Sequence, residues 1–544
     1  MALRHFAPHY SLLRFSHINR VISPKKRFLS VSATMASSAR KVLVPIANGS
    51  EPMEAVITID VLRRAGADVT VASVEKQLRV DAGHGVKIVA DSLVSDCADG
   101  VFDLITLPGG MPGATHLRDC AVLEGLVKKQ AADGRLYAAV CASPAVAFGP
   151  WGVLKGLKAT CYPSFMEQLA PCATAVESRV QVDGRVVTSR GPGTTMEFSV
   201  ALVEQLYGKE KANEVSGPMG SYSEFDMVFV ELSLTENWRL NRGCWNIWFT
   251  IVAVQLRRKC NTLMREPQGV GLVVEACGLM EYHPLDPKKT SEGIVYGSEV
   301  YSARMDSKGP ALSSSLLIRE ESKSFWSKRK PGTLSVMRSN HGEEYTIREL
   351  NPVEWTFDDC PKILVPIANG TEEMEAVMII DILRRAKANV VVASVEDKLE
   401  ILASRQVKLV ADVLLDEATN LLFDLIVLPG GLGGAQAFTN SEKLVNLLKK
   451  QKESNRPYGA ICASPALVLE PHGLLKGKKA TAFPALCNKL SDPSEVENRV
   501  VVDGNLITSR GPGTSIEFAL AIVEKLFGRK QALELAKTML FVYP

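Results

Sequence analysis

The sequence predicts two tandem α/β domains, each a doubly wound, mainly parallel sheet flanked by helices. Three observations predict it. A block from Lys41 to about Leu206 recurs from Lys362 to about Phe527, displaced by 321 residues, so one domain is present twice. Within each copy, short apolar runs alternate with amphipathic ones, the order that builds a parallel sheet with helices on its faces. At 544 residues the chain is too long for one ordinary core, and 46% hydrophobic with 23% charged is the balance of globular domains.

The elements follow in order. The run from Lys41 to Ala47 is rich in Val and Ile, which suits a strand buried on both faces. From Pro52 to Ala65, apolar residues Met53, Val56, Ile57, Val61 and Leu62 take helical spacing, and Gly66 stops the helix. A strand from Asp68 to Val74, a strand from Phe102 to Leu107, a helix around Ala121 to Ala132, a strand from Leu136 to Val140 and a helix from Ser143 come next. Val180 to Val187 alternates around Asp183-Gly184, a favoured two-residue hairpin turn, and Asp503-Gly504 repeats it. Thr194 with Glu197, and Thr514 with Glu517, have the spacing of a capping box and predict a helix start.

The segments outside the repeats read differently. Met1 to Arg40 contains no Asp or Glu, while Arg4, Arg14, Arg20, Lys25, Lys26 and Arg27 are interspersed with serines. That composition predicts an organellar transit peptide over residues 1–38, for chloroplast or mitochondrion. Initiation at Met35 is the alternative, which would leave the protein in cytosol and nucleus. Residues 40–216 then form domain 1 and residues 361–544 domain 2. The 217–360 linker is far longer than an ordinary connection. Its stretch from about 220 to 335 resembles neither repeat, has no period that argues a third fold, and is read as an irregular insertion, with a retained intron as the hypothesis. A transcript joining Met219 to the neighbourhood of Met337 would support this; continuous read coverage would refute it. The apolar run from Cys244 to Leu256 is too short for a membrane helix. The net charge of +3, much of it in the first 40 residues, makes no electrostatic case for nucleic acid. Neither a membrane nor a nucleic-acid partner is therefore expected.

The chemistry is signalled at two cysteines. Of 11 cysteines only Cys141 and Cys462 coincide between the repeats, each after a strand and before Ala-Ser-Pro-Ala. No CxxC pair or His/Cys cluster suggests a metal or a disulfide framework, so no metal or cofactor is expected. A thiol at a strand-to-helix corner meets free backbone N–H groups and the positive helix end, which favours thiolate. A Gly-Gly pair after a strand, as in LPGG at Leu107 and Leu428, lets backbone approach a ligand and donate to an oxyanion.

IANGSEPMEAV, LPGG, VCASPA and SRGPGT together resemble the DJ-1/PfpI superfamily, in its plant-type tandem branch, over roughly 350 of 544 residues. The resemblance implies flavodoxin-like domains. It implies that Cys141 and Cys462 are nucleophiles and that Glu54 and Glu375, in the MEAV motifs, hydrogen-bond them and act as general acid/base. Gly110 and Gly431, with the N–H groups of Ala142 and Ala463, would be the oxyanion donors. Where many members carry a His before the Pro that follows the next strand, this chain has Tyr162 and Phe483. No His coincides between the repeats, His84 for instance meeting Arg405, so a shared Cys–His pair is excluded.

The expected activity is glutathione-independent detoxification of methylglyoxal and glyoxal, with reversal of glycation adducts on proteins and small molecules as the related deglycase reaction. The alternative is a redox-sensing or chaperone-like stress protein whose cysteines oxidise to sulfinate with little turnover. Family members pair through the helix after the first strand, so the linked repeats are expected to form an intramolecular pseudo-dimer, with homo-oligomers as a further form. Arg64 and Arg385 are read as exposed helix-end arginines rather than as residues reaching the neighbouring site.

Overall fold

The computed structural model describes residues 39–219, 347–357 and 360–543, together with the backbone of four strands between the repeats. In the first repeat a seven-stranded sheet runs in the order Val180–Asp183, Val186–Ser189, Leu136–Val140, Leu104–Leu107, Lys41–Ile46, Asp68–Ser73, Ser92–Leu93. Every pairing is parallel except the Val180–Asp183 hairpin, which folds back antiparallel onto Val186–Ser189. The second repeat reproduces this order from Val500–Asp503 to Val413–Leu414 and adds Arg348–Leu350 at the hairpin edge, giving eight strands. Trp355 is buried on that addition and donates its indole N–H to the Gly504 carbonyl at 3.2 Å, so residues ahead of Lys362 are part of the second repeat's packing.

The expected strands match within two or three residues at their ends, because near-continuous Val, Ile and Leu leave few other states for a segment buried on both faces. The helix predicted from Ser143 differs: residues Pro144–Phe148 form a single π-turn, followed by the short helix Gly149–Trp151. The expected capping boxes do not form. Glu197 pairs with the Arg179 guanidinium at 2.8 Å and Glu517 with Arg499 at 2.6 Å, while Thr194 and Thr514 accept from the Gly191 and Gly511 N–H groups. A local cap yields here to an arginine that ties the helix start to the neighbouring strand.

Most of the inserted stretch, including the apolar run from Cys244 to Leu256, lies outside the described residues. Val270–Ala276, Tyr301–Arg304, Ser315–Ile318 and Leu334–Asn340 pair as a separate four-stranded sheet. The Val-rich run Val270–Ala276 has the β-branched content that strands favour.

The two repeats pack on each other within the chain. Helix Pro52–Arg64 lies against helix Glu373–Arg385, both buried along most of their length, and one hydrophobic core includes residues of both repeats. Lys87–Val89 pairs antiparallel with Lys408–Val410, joining a hairpin of each repeat into one small sheet. Lys87 reaches Asp412 at 2.8 Å and Lys408 reaches Asp91 at 3.3 Å. Arg63 donates to the Arg405 carbonyl at 2.8 Å, and Arg384 returns the contact to the Gly85 carbonyl at 2.8 Å.

Candidate active site

Each sequence-marked cysteine sits at the carboxyl end of a central strand, with its backbone in the left-handed region at φ 63°. A non-glycine residue held there costs about 1–3 kcal/mol and persists only where its surroundings enforce it. Cys141 N–H donates to the Ser189 carbonyl at 3.1 Å, and its own carbonyl accepts from Tyr162 N–H at 2.8 Å. Ser143, two residues on, donates its hydroxyl to the Pro108 carbonyl at 2.5 Å. Cys462, Phe483, Ser509 and Ser464 repeat the set. Ser143 and Ser464 are thus anchors of the elbow, a role the sequence reading did not assign. That both repeats keep a Ser there was the available signal.

The LPGG glycines make the elbow possible. A Cβ on Gly109 would lie 2.6 Å from the Cys141 Cβ, and one on Gly430 would lie 2.5 Å from that of Cys462. Gly110 and Gly431 take φ 84° and 85°, and a Cβ on Gly110 would fall 2.4 Å from the Glu51 nitrogen. The Gly110 and Gly431 N–H groups hydrogen-bond the two sulfurs. Ala142 is buried and lines the first cavity beside Cys141. Ala463 is buried behind Cys462.

Glu54 is fully buried in the first turn of its helix, and the structure brings it to Cys141. Its Oε2 accepts from Gly109 N–H at 2.7 Å, which leaves Oε1 without a nitrogen or oxygen partner beside the thiol. Glu375 repeats this, with Gly430 N–H at 2.7 Å and its own Oε1 unpartnered. The helix-end argument for a thiolate does not carry the site. Burial, then the adjacent Glu54 carboxylate, push the Cys141 thiol well up, and burial, then Glu51, push Glu54 well above the usual carboxylate range. Glu375 is pushed up to about 7, chiefly by burial. Both shifts favour the protonated forms; a thiolate at Cys141 is favoured only when the Glu54 carboxyl keeps its proton and donates it in a hydrogen bond to the sulfur.

The arginines depart from expectation. The Arg385 side chain is only 18% exposed, pairs with Asp381 on its own helix, and crosses to Glu51 of the first repeat at 2.7 Å. Arg64 does the same with Asp60 and with Glu372 at 2.6 Å. They are not exposed helix ends, because helix-on-helix packing buries them and each has two carboxylates to neutralise. Glu51 and Glu372, each capping its helix and accepting from the N–H of Glu54 or Glu375, escaped the sequence reading. A first cavity of about 240 Å3 results, lined by Glu51, Gly110, Cys141, Ala142, Tyr162 and His84 of the first repeat and by Arg385 and Thr538 of the second. Among the described residues, Asp60, Glu372 and Glu373 lie close enough to share a cation, but Arg64 already bridges the first two, and Glu373 accepts from Ser404 Oγ and Arg405 N–H.

The buried acids set a pH response. Glu51, Glu373 and Glu375 move from an ordinary 4.5 to about 7, with burial the largest cause in each. The folded state then binds more protons than the unfolded state between pH 4.5 and 7, so stability is greatest at the acid side of this window and is lost as pH rises through it. The urea midpoint is expected to be highest near pH 5 and to fall towards pH 7.5; a midpoint rising over this range would show these carboxyls ionised and fully compensated.

A cysteine at a strained strand-to-helix elbow, facing a buried glutamate, on a doubly wound sheet that occurs twice in one chain, defines a class: tandem α/β proteins built around a reactive thiol. The chain belongs to the DJ-1/PfpI family, which matches residues 40–205 and 361–525. It is 54% identical to Protein DJ-1 homolog B of Arabidopsis thaliana, over 99% of this chain and 94% of that one. It is 34% identical to Glutathione-independent glyoxalase DJR-1.2 of Caenorhabditis elegans, over 34% of this chain and 97% of that one. The solved structure of oxidized Toxoplasma gondii DJ-1 is 48% identical over 33% of this chain and 97% of that one, with a TM-score of 0.32.

Proposed function

We propose that the chain is a glutathione-independent glyoxalase acting on methylglyoxal and glyoxal, with deglycase action on early glycation adducts as the related reaction. The observation that carries this reading is a cavity with room for a small carbonyl compound, lined by Cys141, Gly110 and Ala142, with the buried Glu54 carboxyl hydrogen-bonded to the Cys141 sulfur. The similarity to a nematode protein named a glutathione-independent glyoxalase supports it.

In this mechanism the Cys141 sulfur adds to the aldehyde carbon, and Glu54 passes its proton to the forming alkoxide. The Glu54 carboxylate then removes the hydrogen from that carbon to give an enediolate, the second oxygen takes up the hydroxyl proton of the first, and Glu54 returns its proton to the neighbouring carbon, converting the hemithioacetal to a thioester. Water cleaves the thioester, releasing lactate from methylglyoxal or glycolate from glyoxal and restoring the thiol. The N–H groups of Gly110 and Ala142 stabilise the oxyanions. Cys462, Glu375, Gly431 and Ala463 are assigned the same steps in the second repeat.

Lactate formation from methylglyoxal without glutathione is the test, run on Cys141→Ser, Cys462→Ser and the double variant. Each single variant is expected to keep part of the activity and the double variant to lose it. Activity no higher in the parent than in the double variant would refute the glyoxalase reading and leave oxidation of the same thiols as the function. For residues 1–38 we propose an organellar address; a fluorescent fusion of that segment that stays cytosolic would refute it.

A further inference from the structure

The two sites differ at a position that the shared motifs do not include. His84 lines the first cavity with Cys141 and Glu51, whereas its counterpart in the second repeat is Arg405. Its place is built. The residue sits in the left-handed region at φ 54° between Gly83 and Gly85, Gly83 N–H donates to the Ser50 carbonyl at 2.8 Å, and Arg384 of the second repeat holds the His84 carbonyl at 3.1 Å. The corresponding loop of the second repeat is held differently: Glu373, which stands where the first repeat has Pro52, accepts from the N–H of Arg405 at 2.8 Å, and Arg405 is outside the left-handed region. Differences at Pro52/Glu373, Gly83/Ser404, His84/Arg405 and Gly85/Gln406 thus accompany different loop backbones.

Partial burial and the cations Arg385, Lys387 and Arg384, with Glu51 opposing them, keep the imidazole neutral down to about pH 4. A neutral imidazole has one N–H donor, and it can meet an oxygen that gathers negative charge without giving up a full proton. In the proposed reaction the second carbonyl oxygen of a 2-oxoaldehyde gathers such charge when the hydrogen leaves the first carbon.

We propose that His84 donates a hydrogen bond to the second oxygen of a dicarbonyl bound at Cys141, a neutral donor that the second site replaces with Arg405, so that the first site selects 2-oxoaldehydes over simple aldehydes. This rests on the dicarbonyl reading above, and the test separates the two. In the full chain carrying Cys462→Ser, the rate at which iodoacetamide alkylates Cys141 is followed by peptide mass spectrometry, with methylglyoxal or acetaldehyde as the protecting ligand. His84→Ala is expected to raise the methylglyoxal concentration giving half-protection about tenfold, the effect of one lost hydrogen bond, and to leave acetaldehyde protection unchanged. His84→Asn, which keeps a donor, is expected to stay nearer the parent than His84→Ala. Unchanged methylglyoxal protection in His84→Ala, or equal losses for both ligands, would overturn the assignment while leaving the dicarbonyl reading in place. A parent that methylglyoxal does not protect would overturn both.

Discussion

Glu54→Gln, introduced where Cys462 is already Ser, is expected to lower methylglyoxal turnover by about 10²–10⁴-fold, the usual worth of a positioned general acid/base. The amide is nearly isosteric and its oxygen can still accept from Gly109 N–H. It cannot pick up the hydrogen of the hemithioacetal carbon or return it. Glu54 is fully buried and holds its proton far above the usual carboxylate range, so exchanging it for a neutral amide should not destabilise the protein. The unfolding midpoint at pH 7.5 is expected to hold or rise while turnover collapses. Parallel loss of stability and activity would mean that Glu54 acts through the fold; retained turnover would remove it from the mechanism. Glu375→Gln beside Cys141→Ser makes the same test of the second site.

The second large effect is on stability. Removing the Arg385 guanidinium by Arg385→Ala leaves Glu51 and Asp381 facing each other in the buried seam between the repeats. Breaking a buried ion pair by deleting one partner costs about 3–5 kcal/mol, because the remaining charge is uncompensated. Urea denaturation is expected to show that loss at pH 8 and a smaller one at pH 5, where the two acids can take up protons. Arg64→Ala should behave alike through Asp60 and Glu372. A loss below 1 kcal/mol at pH 8 would mean that the carboxyls already hold protons and the arginines do little.

How much of this was legible in the sequence follows from the range of the interactions. Strands such as Leu136–Val140 were legible because burial on both faces writes an apolar run into the chain, and helix Pro52–Arg64 because burial along one side writes a period. Cys141 was legible because the chain repeats it at a strand-to-helix corner before Ala-Ser-Pro-Ala, whereas Glu54 was legible only through the resemblance that the MEAV motif carries. The arginines were misread because a cation at a helix end looks the same whether water or another helix covers it; only the partner repeat, more than 300 residues away, decides. The capping boxes failed for a shorter-range version of this reason, since Arg179 and Arg499, 18 residues back and just ahead of the neighbouring hairpin strand, claimed Glu197 and Glu517. Protonation was beyond local reading too, because the helix end that favours a thiolate is visible in the sequence, whereas the burial and the facing carboxylate that oppose it are not.

Helix Pro52–Arg64 begins with the acid of one site and ends with the arginine of the other, and helix Glu373–Arg385 mirrors it. In a homodimer every substitution in such a helix would appear in both active sites at once, and diluting the protein would empty both. A single polypeptide escapes both constraints. Its halves stay partnered at any concentration, and a change such as Pro52 against Glu373, His84 against Arg405 or Tyr162 against Phe483 alters one half while the other keeps its ancestral trade.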